Sequence, residues 1–143
     1  RGILAAMVLG AEGVQIGTRF AVTQESSAHV NYKNAIVNAS DNSTTLLMKK
    51  LGMARAVKNN FTQRITEAER AGADETLLRE LKGEKREMKG IFEGDTEEGL
   101  IEAGQGAGMI KDIPDVITLF DDFISQFNSA LNMIASMNSY SDR

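Results

Sequence analysis

Gly10-Ala-Glu-Gly-Val-Gln-Ile-Gly-Thr-Arg-Phe20 is the stretch on which the fold turns. Before it, the apolar run Ile3–Leu9 reads as a helix that stops at Gly10. Within it, Gly13–Ile16 reads as a short strand running straight into Gly17-Thr18. A helix, a strand and a small-residue turn make one αβ step, and in parallel α/β folds ligands sit at the carboxyl ends of strands. The Gly17-Thr18 turn offers backbone N–H groups and one hydroxyl, with almost no side chain to hold a phosphate away.

A helix as apolar as Ile3–Leu9 needs a sheet to cover, and one short strand is not a sheet. A full (β/α)8 barrel takes about 250 residues, and this chain has 143. The expectation is therefore the C-terminal part of a longer α/β protein, inactive by itself. Composition is that of an ordinary globular chain, 42% hydrophobic and 25% charged. A net charge of −4 argues against a nucleic-acid surface. Residues 61–98 carry 7 Lys/Arg and 11 Asp/Glu, which is all of that net charge, and read as a solvated helical outcrop. Cysteine is absent, which removes disulfides, thiolate metal sites and a Cys nucleophile and fits a cytoplasmic protein. The single histidine, His29, leaves little room for a His-based metal site. No apolar run approaches the ~18 residues of a membrane span.

Downstream, Ser26 or Ser27 is expected to cap a helix reaching about Asn38, with Val30, Ala35, Ile36 and Val37 inside. Asp41-Asn42-Ser43 is a turn cluster. Thr44–Met48 is a strand or a covering segment, and Ala54–Val57 a second short apolar piece. A helix from about Asn59 to Arg70 stops at Ala71-Gly72. Asp74 caps the next, with Leu77, Leu78 and Leu81 as its buried stripe and Gly83 as its stop. A third runs from about Glu84 to Phe92 and ends at Gly94. The last has Pro114 in its first turn, an apolar stripe of Val116, Phe120, Phe123, Phe127, Leu131 and Ile134, and a frayed tail from Asn138.

The Gly10–Phe20 stretch resembles the segment from the seventh helix to the eighth strand of the nitronate monooxygenases, once called 2-nitropropane dioxygenases. It is equally similar to the flavin-dependent enoyl-acyl-carrier-protein reductases, which share their fold. Three further stretches match in order: Glu25-Ser-Ser-Ala-His-Val-Asn-Tyr-Lys33, Ala54-Arg-Ala-Val-Lys-Asn59 and Ala103-Gly-Gln-Gly-Ala-Gly-Met-Ile110. The resemblance implies a (β/α)8 TIM barrel that binds FMN. Residues 1–58 would then end the barrel, 59–98 form a charged helical insertion, and 99–143 hold a flavin-proximal Gly-rich loop and a closing helix.

The resemblance places Gln15, Ile16, Gly17 and Thr18 against FMN, with Gly17 and Thr18 foremost at its phosphate. It brings the loop bearing Gln105 to the mouth of the flavin site, where glycines permit close approach and the amide offers a neutral donor and acceptor. As a plain sequence feature, that loop reads equally well as a tightly packed helix entry. Gln15 could face the barrel interior or the outer helices. The implied activity is oxidation of alkyl nitronates with O2, and the runner-up is reduction of enoyl thioesters with NAD(P)H. A non-catalytic helical interaction domain is the alternative outside enzymology, disfavoured by the apolar Ile3–Leu9 helix. Whether like chains assemble into an oligomer stays open.

No catalytic residue is assigned. His29 reads as a hydrogen-bonded structural histidine, because the family's catalytic histidine belongs to a Gly-Gly-His-type loop that does not occur here. Arg19 and Arg55 read as ion-pair or helix-end contacts, and Lys49, Lys50, Lys85, Arg86 and Lys89 as solvated faces. Met48, Met88, Met109 and Met133 read as core filler.

Overall fold

The computed structural model describes residues 1–137. The tail expected from Asn138 lies outside the described residues. The described chain is mainly helical with one two-stranded sheet: α1 (Gly2–Val8), α2 (Thr18–Ala21), α3 (Val30–Val37), β1 (Thr44–Leu47), β2 (Ala54–Val57), α4 (Asn60–Arg70), α5 (Glu75–Lys82) and α6 (Val116–Met137). A π-helical turn at Met88–Phe92 and a 3₁₀ turn at Gln105–Met109 lie between α5 and α6. The chain divides into two compact units, one made of Arg1–Ile16 with Pro114–Arg143 and the other of Gly17–Ile113.

In the first unit α1 packs on α6. Leu4 is buried, but Val8 and Leu9 are 75% and 87% exposed. Gly10, at φ +96°, ends the helix as expected. The strand expected at Gly13–Ile16 does not form. The segment makes no ladder, and Gly13, Val14 and Gln15 are exposed. Alternation of Val14 and Ile16 specifies which residues share a face, but a strand exists only where a neighbour takes its N–H and C=O groups.

Pro114 precedes α6 instead of opening it. Asp115 caps the helix, accepting the Thr118 N–H at 2.7 Å on its carboxylate. The expected stripe is also rotated. Leu119 and Ala130 are the buried side chains of α6, while Phe120, Leu131 and Ile134 are about half exposed. Phe120 meets Phe123 edge-on, with centroids 6.5 Å apart.

The second unit holds two apolar clusters. One gathers Val22, Tyr32, Ile36, Ile101, Ala107 and Ile110. The other gathers Leu47, Ala56, Phe61, Ile65, Leu78 and Leu100. Thr44–Leu47 and Ala54–Val57 pair antiparallel, with Thr44 opposite Val57 and Leu47 opposite Ala54. Residues 101–103 extend the ladder on the far side of β2. Val57 N–H donates to the Ile101 carbonyl, and Ala103 N–H to that of Arg55. This third segment carries the chain from the charged helices to the Gly-rich loop.

The helices of the charged region start and stop where their caps dictate. Asn59 accepts the Thr62 N–H while Thr62 Oγ1 accepts the Asn59 N–H, a reciprocal capping box at the start of α4. Asp74 accepts the Leu77 N–H to start α5, and Gly83 at φ +62° ends it. Of the expected leucine stripe, Leu78 is fully buried but Leu77 is 45% exposed. The helix expected over Glu84–Phe92 is mostly the π turn, in which Glu93 N–H reaches the Met88 carbonyl five residues back.

Corrections also fall on single residues. The cap of α3 is His29, not Ser26 or Ser27, and Val30 on that helix is 55% exposed. Met48 is buried as expected, but Met88, Met109 and Met133 are exposed. Lys50 is engaged, donating to the Ala73 carbonyl, and Arg86 lies over the Phe61 ring with its guanidinium 4.9 Å from the centroid. No helix among the described residues is long and apolar enough to cross a membrane.

Candidate cofactor-phosphate site

Gly17 and Thr18 open α2, a single helical turn at the start of the second unit. Its first intrahelical bonds run from the N–H groups of Phe20 and Ala21 to the Gly17 carbonyl. The N–H groups of Gly17, Thr18 and Arg19 have no acceptor within this unit. A Cβ on Gly17 would meet nothing within 4 Å. Open approach, three backbone donors unpaired among the described residues and a hydroxyl suit a phosphate.

Thr18 also has a partner far along the chain. Its Oγ1 accepts the Gly104 N–H at 2.9 Å. The next residue, Arg19, donates to the Asp112 carbonyl at 3.0 Å and pairs with the Asp112 carboxylate at 2.7 Å. The expected ion pair of Arg19 is thus present, and it spends the guanidinium charge on the protein. Residues 104 and 112 bracket the 3₁₀ turn that carries Gln105.

Within that loop the glycines have different uses. Gly108 packs so closely on the backbone of Ser40 that a Cβ would lie 2.8 Å from the Ser40 carbonyl. Gly104 faces the Thr18 hydroxyl, and Gly106 only the end of Met109. Ala107 is fully buried and anchors the turn in the core, whereas Gln105 and Met109 are exposed. The loop is tightly packed at Gly108, as the helix-entry reading expects, and open at Gln105.

The fold therefore joins Thr18, Gly17 and the Gln105 loop in one unit. Gln15 and Ile16 belong to the other unit, with Gln15 exposed and Ile16 half-buried. Sequence reading missed Asp112 and the role of Arg19 in pinning the loop. No local signal joins positions 93 residues apart.

His29 is structural in its bonding. Its ring Nδ1 accepts the Asn31 N–H at 3.1 Å, and its backbone N–H donates to the Ile91 carbonyl at 2.7 Å. Gly94 packs on the ring, where a Cβ would fall 2.1 Å from Nδ1. Tyr32 donates its hydroxyl to the Glu102 carbonyl at 2.7 Å, and burial, helped by the Glu102 charge, pushes its phenol up to about 12. Lys33 is buried and donates to the Gln24 and Ser26 carbonyls, holding the bend after α2. Arg55 donates to Thr44 Oγ1. An open groove of about 510 Å³ beside α4, lined by Thr45, Lys58, Asn60, Gln63, Thr66 and Arg70 among others, includes none of the expected site residues.

Thr18 and the Gly-rich loop meet as the family resemblance anticipates, and comparison with known proteins supports that family. Residues 1–126 match the family model for nitronate monooxygenase. Relatives described as probable nitronate monooxygenases, from Staphylococcus aureus strains JH9 and MRSA252, are 32% identical over 132 residues, covering 92% of this chain. The structure of FabK from Thermotoga maritima is similar with a TM-score of 0.86 at 34% identity over 96% of this chain. That of its M276A mutant is similar with a TM-score of 0.78. This chain belongs to the nitronate monooxygenase family. It spans 37% of the length of the Staphylococcus relatives and 43% of the Thermotoga chain.

Proposed function

We propose that this chain forms the C-terminal portion of an FMN-dependent (β/α)8 oxidoreductase, with alkyl nitronates and O2 as its substrates. In this reading residues 1–58 complete the barrel, 59–98 are a helical insertion, and 99–143 return to the flavin and close the structure. Gly17 and Thr18 hold the FMN phosphate, Gln15 and Ile16 lead into that turn, and Gln105 approaches the ring system. Bound FMN would supply the redox chemistry. This chain's residues would bind its phosphate and so fix where the ring lies.

The observation that carries the reading is the Thr18–Gly104 hydrogen bond, which joins the two motifs that the family resemblance assigns to the flavin. The chemistry fits as well. The exposed Gly17 backbone, the unspent N–H groups and the Thr18 hydroxyl form an uncharged donor set, and uncharged donors suffice for a phosphate when several converge. Thr18→Val in the full-length protein removes one donor to a dianion. Roughly tenfold or greater loss of FMN affinity is expected, from the ~1.5–3 kcal/mol of a hydrogen bond to a charged group. Unchanged affinity would remove Thr18 from the site.

The equal resemblance to flavin-dependent enoyl-acyl-carrier-protein reductases supports a second reading. Anaerobic mixing of the oxidised full-length protein with nitronate, and separately with NADPH, distinguishes the two. Rapid bleaching of the flavin by NADPH, and not by nitronate, would overturn the first.

A further inference from the structure

We infer that α2 is a two-point clamp on the loop from Gly104 to Asp112, and that a phosphate held by Thr18 tightens it. The inference rests on the phosphate reading above and goes beyond it by coupling cofactor anchoring to the loop that bears Gln105.

A threonine hydroxyl has one proton to give and two lone pairs to accept with. The Gly104 N–H takes up one acceptor position of Thr18 Oγ1, so the Thr18 proton is directed elsewhere. No acceptor for it occurs within the unit, and the neighbouring Gly17 leaves open space. A phosphate oxygen that accepts this proton polarises the hydroxyl. The oxygen then accepts more strongly from Gly104, because donors and acceptors in a chain reinforce one another.

The far end of the loop is fixed independently. Arg19 holds both the carbonyl and the carboxylate of Asp112, and its side chain is only 17% exposed. Between the two ends, Ala107 is locked in the core and Gly108 against Ser40. Gln105 follows Gly104 directly, so the bond most sensitive to phosphate is the one that sets where Gln105 starts. Thr18 and Gly104 thus act as positioning groups for Gln105, in addition to the direct binding assigned to Thr18.

Backbone hydrogen exchange at Gly104 in the full-length protein tests this, with no ligand, with saturating FMN and with saturating riboflavin, which lacks the phosphate. FMN is expected to slow exchange at Gly104 about twofold relative to riboflavin, the size of a roughly 10–30% strengthening of one hydrogen bond. Thr18→Ser should keep that difference and Thr18→Val should abolish it, even at saturating FMN. Equal protection by the two flavins in the unsubstituted protein would overturn the coupling, and this comparison needs no variant to fold. Persistence of the FMN-specific slowing in Thr18→Val would also overturn it, since the phosphate would then protect the loop directly. Unchanged FMN affinity in Thr18→Val would instead overturn the phosphate reading itself, so the two failures are distinguishable.

Discussion

A Cβ on Gly99 would stand 2.3 Å from the Cα of Gly90, and one on Gly90 would lie 2.5 Å from the Leu100 carbonyl oxygen. The π turn and the segment entering the ladder beside β2 therefore touch backbone to backbone. Two bonds hold that approach, Leu100 N–H to the Arg86 carbonyl and Gly99 N–H to the Asp95 carbonyl. Backbone cannot rotate aside as a side chain can. Gly90→Ala and Gly99→Ala are each expected to destabilise the protein by about 3 kcal/mol, at the upper end for overpacking. Urea unfolding of the variants checks this, and a loss below ~1 kcal/mol would mean that the contact relaxes.

Asn59 joins three elements. It caps α4 through the Thr62 N–H, and its side-chain amide donates to the Thr96 and Gly99 carbonyls at 2.8 Å each. Asn59→Ala should cost about 2–4 kcal/mol, from a cap of ~1 kcal/mol and two part-buried hydrogen bonds of ~1 kcal/mol each. Asn59→Asp keeps the cap acceptor but loses both donors. An intermediate loss in thermal or urea unfolding is the expected result.

His29 caps α3 and packs on Gly94, and a purely structural role makes a clear prediction for its variants. His29→Asn retains a cap acceptor, and turnover of the full-length protein in the proposed reaction is expected to fall less than twofold. His29→Ala should lower stability by about 1 kcal/mol at unchanged KM. A loss of kcat of a hundredfold or more in His29→Asn, with folding intact, would make the histidine catalytic.

Tyr32 gives the stability a pH dependence of known sign. Its phenol sits at about 12 in the folded protein against an ordinary value of 10.0, raised by burial first and by the Glu102 charge second. The folded state therefore keeps its proton where the unfolded chain loses it. The associated stability is fully present below pH 10 and is lost as pH rises towards about 12, up to ~3 kcal/mol in all. Tyr32→Phe should be less stable at neutral pH, through the lost bond to Glu102, yet lose less stability between those pH values. Parallel alkaline slopes for both proteins in urea unfolding would refute the assignment.

Asp95 works in the opposite direction. The Glu98 N–H and then the Lys89 side chain hold its carboxyl below the ordinary value of 3.8. Its stabilisation is present above pH 3.8 and fades as pH falls through its lowered value. Asp95→Asn should flatten the acid limb of the stability profile while changing the neutral value by less than ~1 kcal/mol, since the Lys89 partner is solvent-facing.

The sequence alone determined what depends on neighbours a few residues away. Asn59 and Asp74 start α4 and α5, and Gly72, Gly83 and Gly94 take the positive φ that ends or turns the chain. Those signals work within one helical turn, so they are legible locally. The Gly17-Thr18 turn and the Gln105 loop were legible one at a time, as motifs.

Tertiary structure alone decided the rest. Gly13–Ile16 has an apolar strand pattern but no ladder, because pairing needs a neighbour that a local pattern cannot supply. Thr44–Leu47 and Ala54–Val57, ambiguous in sequence, became strands because each had the other, and because residues 101–103 closed on the second. Leu119 and Ala130, rather than Phe120 and Leu131, are buried on α6, since helical periodicity fixes the spacing of a stripe but not which stripe is covered. The meeting of Thr18 with Gly104, and of Arg19 with Asp112, was decided by the folding of the intervening chain around two apolar clusters. A hydrogen bond between positions 86 residues apart leaves no mark in either local sequence, because its energy depends only on where the fold brings the two atoms.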